Sequence, residues 1–222
     1  VDTETPRPEK LVVDFDTSAK GESTGATDIS GKGKHGCLKN GAYYSTPDKA
    51  FELDGSNDYI QSSPLGFTGD QIHTVSFWFW SDDAQSVFGS NEHGLYGTGD
   101  KYGSSQGGRG GLSCYGPATA FCFRYWKGGV GGKNFANTTF EQLTWNHCVV
   151  VYPGGGPSAV RLWLNGIEQV STNVGDSGGY SFDESDDLVI GDWYTGDGTG
   201  VKGAYPWNGK FSNFKLYNVA LE

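Results

Sequence analysis

WNHCVVVYPGGGPSAVRLWLNGIEQ, residues 145–169, holds two short apolar runs on either side of a glycine-rich turn. The first, HCVVVY (147–152), is built from β-branched and aromatic residues. The second, VRLWLNG (160–166), alternates apolar and polar positions. Both patterns suit a half-buried strand, in which successive side chains point to opposite faces of the sheet. Asn165–Gly166 closes the second run with the residue pair that best tolerates positive φ, so a tight hairpin turn is expected there. The segment predicts antiparallel β structure.

The rest of the chain repeats that pattern. LVVDFD (11–16), AFELDG (50–55), DYIQSS (58–63), TVSFWFW (74–80), AFCFRYW (120–126), DLVIGDW (187–193) and GKFSNFKLYN (209–218) are short runs rich in Val, Phe, Tyr and Trp, bounded by Gly, Asp, Asn and Ser. No window keeps a 3.6-residue apolar period through three turns, and no repeat of propeller or solenoid length occurs. The expected class is all-β, a two-sheet antiparallel jelly-roll sandwich, and 222 residues fit one such domain. The glycine-rich stretches GTGDKYGSSQGGRGG (97–111) and GGVGGKN (128–134) read as long loops inside it. VDTETPRPEK (1–10), polar and carrying two prolines, reads as a linker, which leaves 11–222 as the domain. The chain contains no Met, so a module of a longer polypeptide is expected.

A net charge of −10 repels a phosphate backbone, which argues against nucleic acid as a partner. No apolar run approaches the roughly 18 residues that span a bilayer, so no membrane insertion by a helix is expected. Cys37, Cys114, Cys122 and Cys148 lack paired C-x-x-C zinc spacing. Cys114 and Cys122 are near enough in sequence for a disulfide to staple a hairpin; four buried thiols is the competing reading.

Beyond the central hairpin, DISGKGKHGCLKNGAYY (28–44), KAFELDGSNDYIQ (49–61), TVSFWFW (74–80) and WNGKFSNFKLYNVALE (207–222) resemble, in order, motifs of the laminin-G-like, concanavalin A-like lectin/glucanase jelly-roll family. The resemblance implies the jelly-roll fold and no catalytic residue. This chain departs from it at Ser212, Asn213 and Lys215, where the family usually carries Asp-Glu and then Arg, and in the long connection GDWYTGDGTGVKGAYPWNG (191–209).

Alternation divides TVSFWFW into Val75, Phe77 and Phe79 on one face and Ser76, Trp78 and Trp80 on the other, and likewise sets Arg161 and Trp163 against Leu162 and Leu164. An outward Trp packs on the apolar face of a sugar while Arg and carboxamides bond its hydroxyls, so carbohydrate is the natural ligand class. The favoured reading, however, has the glycine-rich loops fold over Trp78, Trp80 and Trp163 and bury them. Aromatics in the 191–209 connection are not required for turning the chain, which makes Trp193 and Tyr194 the first candidates for carbohydrate contact, followed by Asp192, Tyr205, Trp126 and Trp207. Trp207 also stands where packing alone explains it.

No metal site is assigned. Calcium at Asp54, Asn57 and Asp58 competes with ordinary Asx-turn chemistry, the favoured reading. QIH (71–73) also occurs in jelly-roll alginate lyases, but its companion motifs are missing, and FDESDD (182–187) reads as a solvated turn rather than a facing pair of catalytic carboxylates. His35 and His147 are expected to be structural, hydrogen-bonded histidines. The expected function is non-catalytic glycan binding or adhesion by a module of an extracellular, cell-surface or virion-surface protein. A structural assembly module that packs against a protein surface is the alternative, and a glycan-cleaving enzyme the second.

Overall fold

The structure, a computed structural model, describes residues 6–18, 25–84, 88, 92–99, 109–115, 120–126, 130–135, 137–171, 173–175, 182–192 and 205–222. Two antiparallel sheets account for these residues, as expected. In spatial order the first sheet runs β14 (Ile167–Glu168), β13 (Arg161–Leu164), β12 (Asn146–Tyr152), β7 (His73–Ser81), β17 (Asn208–Tyr217), β5 (Ala50–Asp54) and β4 (Tyr43–Ser45), and β1 (Leu11–Phe15) also pairs with β17. The second runs β15 (Asn173–Gly175), β11 (Val130–Phe135), β10 (Ala120–Trp126), β9 (Arg109–Tyr115), β8 (Glu92–Gly99), β16 (Asp187–Ile190), β6 (Tyr59–Ser62), β3 (Gly36–Lys39) and β2 (Gly25–Ala26).

The Asn165–Gly166 turn between β13 and β14 has φ of 51° and 79°, the left-handed pair that the sequence requires of a hairpin in register with strand twist. Asn165 Oδ1 also accepts the His147 N–H at 2.8 Å, which ties the turn to β12.

The glycine-rich stretches depart from expectation. Most of GGVGGKN lies in β11, and the end of the 97–111 stretch begins β9. Glycine carries no side-chain period and weakens β propensity, so the strands are invisible locally. They form because β10 supplies a ladder on both sides, Arg124 opposing Gly111 on one and Gly132 on the other.

The core lies between the sheets. Val75, Phe77 and Phe79 of β7 are fully buried and meet Phe211, Phe214 and Leu216 of β17 on the same sheet, with Tyr96, Leu112, Phe121 and Phe123 of the second sheet opposite. Phe77 stacks on Phe214 with centroids 5.3 Å apart. Trp207, at 0% exposure, sits edge-on to Phe79 and donates its indole N–H to the Trp80 carbonyl at 2.9 Å.

Register also settles the cysteines. Cys114 opposes Phe121, and Cys122 opposes Ser113, so the two thiols stand on opposite faces of the second sheet. Cys114 joins the core, whereas Cys122 Sγ lies 2.8 Å from Asn134 Oδ1. The hairpin disulfide considered between them does not form, none of the four cysteines is in a disulfide, and only Cys37 is exposed. A thiol reagent is therefore expected to label one cysteine per native chain and four in denaturant, by mass spectrometry. A native mass two units below the all-thiol value would contradict this.

Candidate functional site

An irregularity in β17 positions the site. Between Ser212 and Lys215 the register with β7 shifts, and Asn213 takes φ of 48°, a β-bulge that adds one residue against Phe77 and re-aims the side chains around it. The same point divides the far edge of β17. Phe211 and the residues before it pair with β5, Phe214 and those after it with β1. Where β5 and β1 part, Thr17 and Lys49 close the gap: the Thr17 and Ser212 hydroxyl oxygens are 2.7 Å apart, and Asn213 Oδ1 accepts the Thr17 N–H at 3.3 Å. No motif in the sequence signals this junction, because it joins residues nearly two hundred positions apart.

Above the bulge, on the outer face of the first sheet, lies a groove of about 800 Å³ lined by Asp16, Ser18, Ser76, Trp78, His147, Val149, Asn213 and Lys215, with Arg7 and Glu222 at its margin. A second groove of about 290 Å³ shares Trp78, Ser18 and Asn213 and adds Asp48, Lys49 and Trp145. Trp78, 40% exposed, stands between them. Its ring lies 4.8 Å from that of His147, and His147 Nε2 is 3.0 Å from the Ser76 hydroxyl. Burial lowers the His147 pKa, so the imidazole is neutral near pH 7 and keeps both donor and acceptor character. The groove thus has an aromatic floor with hydroxyl, carboxamide and imidazole groups around it.

The charged groups of the face are largely engaged. The Lys215 ammonium is 3.8 Å from the buried Asp14 carboxylate, and the Lys210 ammonium 3.1 Å from Asp48. A hydrogen bond from the Ser45 hydroxyl, reinforced by Lys210, holds Asp48 down to about 2. Lys210 also lies over the Trp80 ring, and the Arg161 guanidinium stacks 4.5 Å above Trp163 while its Nε donates to Glu168 at 2.8 Å.

Trp78, Trp80 and Trp163 are therefore not a second core beneath the glycine-rich loops. Those loops connect strands of the second sheet, whereas these tryptophans project from the outer face of the first. His147 is hydrogen-bonded as expected but also lines the groove. His35 is structural, its Nδ1 accepting the Asp28 N–H at 3.1 Å.

The loop candidates divide. Trp193 and Tyr194 lie outside the described residues. Trp207 is excluded as a contact residue by its burial among Phe79, Phe88, Phe140 and Phe211. Asp192, 2% exposed, is likewise no contact: its carboxylate accepts the Tyr205 N–H at 3.0 Å and ties the two ends of the long connection together. Tyr205 is half-buried, and its carbonyl accepts the Gly94 N–H. Trp126 ends β10, on the sheet opposite the groove, and its side chain lies outside the described residues.

Asp54 and Asp58 satisfy backbone amides. Asp54 Oδ1 accepts from Ser56 at 2.8 Å and Asp58 Oδ2 from Asp54 at 3.1 Å, the Asx-turn arrangement, and no cluster of three potential metal-binding side chains occurs among the described residues. The acidic turn at 182–187 is only partly solvated, since Asp186 and Asp187 are buried and Gln61 donates to Asp187. No helix among the described residues is long and apolar enough to cross a membrane.

With this geometry established, known proteins offer a comparison. The family described as the concanavalin A-like lectin/glucanases superfamily (Laminin_G_3) matches residues 54–222. Among curated proteins nothing matches. Among solved structures, domain 4 of an extracellular GH43 arabinanase from Geobacillus stearothermophilus, in complex with arabinotriose, superposes with a TM-score of 0.68 at 15% identity, covering 96% of this chain and 94% of that one. The botulinum neurotoxin serotype D binding domain gives 0.66 at 15% identity, covering 97% of this chain and 50% of that one. Trypanosoma rangeli sialidase in complex with sialic acid gives 0.62 at 15%, covering 96% and 31%. At such identity these likenesses establish the fold alone.

Proposed function

The chain belongs to the concanavalin A-like lectin/glucanases superfamily, and from that premise we propose that it is a non-catalytic glycan-binding module of an extracellular protein, with its site in the cleft beside Trp78. The exposed Trp78 ring on the floor of a polar-walled groove carries the reading. A large ring left open on a sheet face, with donors and acceptors beside it, matches the two-sided chemistry of a sugar: an apolar ring face and a rim of hydroxyls. The arabinanase domain, bound to an oligosaccharide and part of an extracellular enzyme, supports both the ligand class and the setting.

Binding without cleavage is supported by Asp48 in the smaller groove. A glycosidase needs one carboxyl held protonated near neutral pH opposite a second. Asp48, held down to about 2, is displaced in the opposite direction. The loop aromatics Trp193 and Tyr194 remain proposed as additional contacts.

Trp78→Ala is expected to weaken binding of a glycan identified on an array by about 30-fold, the consequence of losing about 2 kcal/mol at an aromatic anchor. Because Trp78 lies outside the core, Tm should fall by no more than about 4 °C. Isothermal titration and a thermal melt check the two halves. Unchanged affinity would move the site away from this cleft, and an array without any signal would favour the assembly role.

A further inference from the structure

Resting on the glycan reading, we propose that the two grooves form one cleft for an extended run of an uncharged oligosaccharide, at least three units long, laid across β12, β7 and β17 with Trp78 beneath its middle and Trp145 beneath one end.

Continuity comes first. The grooves share Trp78, Ser18 and Asn213, so a ligand that covers Trp78 reaches both. The larger groove, about 800 Å³, already lies in the upper part of the roughly 300–1,000 Å³ range of whole small-molecule sites, and the second adds about 290 Å³, more than one sugar ring needs. Three adjacent strands about 4.8 Å apart set the lining residues across roughly 10 Å of sheet before the β1 side is counted. Trp145, half-buried beyond Trp78, offers a second ring, and its neighbour Trp80 is 6.0 Å away.

Charge selects the class. An acidic sugar needs an unspent cation in the cleft. Arg7 donates to Glu9 at 2.8 Å, Lys215 faces Asp14, and Lys210 faces Asp48 and Glu52, which leaves Lys49 as the cation without such a partner among these four. Asp16, Asp48 and Glu222 add negative charge to the lining, and the chain as a whole carries −10. Lys49 is outnumbered by these carboxylates, and the other groups left for recognition are neutral: the Ser18 and Ser76 hydroxyls, the Asn213 carboxamide and the His147 imidazole. Ligand hydroxyls suit these groups; ligand carboxylates and sulfates do not.

The test pairs retention on a panel of neutral polysaccharides (arabinan, xylan, β-glucan, mannan) and acidic ones (polygalacturonate, heparin, polysialic acid) with titration of the retained polymer's oligosaccharides of one to six units. A neutral polymer is expected to be retained, with affinity rising at least tenfold from one unit to three or more. Trp145→Ala should remove most of that gain while leaving short ligands bound, and Trp78→Ala should weaken every length, both variants keeping the parent near-ultraviolet circular dichroism. Retention of acidic polymers alone, equal affinity for one unit and six, or a Trp145→Ala loss independent of length would overturn the extended neutral cleft while leaving glycan binding standing. Retention of no polymer, with no oligosaccharide titrating, would overturn both.

Discussion

Gly209→Ala is expected to destabilise the domain by about 4 kcal/mol, a loss of roughly 8–16 °C in Tm for a chain of this size. Gly209 has φ of 144°, a backbone conformation that L side chains rarely adopt. A methyl group there would lie 2.1 Å from the Trp80 carbonyl oxygen and 3.0 Å from Trp207 Nε1. The obstacle is backbone, so no rotamer change relieves it. Shifting β17 away from β7 would break the Trp207–Trp80 hydrogen bond and open the core beside the largest fully buried side chain. Gly33→Ala is the control, because Gly33 also has positive φ, 69°, but nothing lies within 4 Å of its added carbon. That variant should lose only about 1 kcal/mol. Urea denaturation of both proteins measures the difference, and a Gly209→Ala loss no larger than the Gly33→Ala loss would contradict the close approach.

Lowering the pH from 7 to 5 is expected to remove about 2 kcal/mol of stability through His73 alone, and about 3 kcal/mol by pH 4. His73 is buried among Phe67, Tyr152 and Phe182, its Nδ1 2.9 Å from the Gln71 carbonyl. Burial drives its pKa from 6.5 to about 4, with the Gln71 carbonyl and then the Asp70 carboxylate only partly offsetting it. Between those values the unfolded chain binds a proton that the native imidazole refuses, so stability falls as pH drops through that window and levels off below it. His147, also lowered by burial, acts in the same direction; Asp58, raised by burial, acts in the opposite one. His73→Gln should flatten the dependence of the urea midpoint on pH between 7 and 5, whatever its own stability at pH 7. The His73 ring resonances of the parent should hold their neutral shifts down to pH 5. An imidazole that titrates near 6.5 in the native protein would remove the basis of the effect.

Fold and site were unequally legible in the chain. The β7 and β13 runs are legible because each alternates, a local consequence of the pleat, and the β12 and β17 runs because they are rich in β-branched and aromatic residues. β9 and β11 are illegible locally because their glycines carry no period, and only pairing with β10 makes them strands. Alternation places Ser76, Trp78 and Trp80 on one face, yet whether that face is covered depends on which sheet bears the long loops. Trp207 and Asp192 read as contact residues in the sequence because both sit in an aromatic, acidic insertion. In the fold Trp207 packs into the core and donates to the Trp80 carbonyl 127 positions away, and Asp192 is buried where it accepts the Tyr205 N–H across the connection.

What the chain specifies by itself is therefore the class of structure: short alternating strands, an Asn-Gly turn, and aromatic residues in excess of what one core face accepts. The tertiary structure alone decides the cleft. β1 and β5 share one edge of β17 and part at the Ser212–Asn213 bulge, so residues from four separate segments converge around Trp78. Strand pattern is a property of neighbours in sequence and is written there; a groove belongs to surfaces that meet only after the sheet has closed.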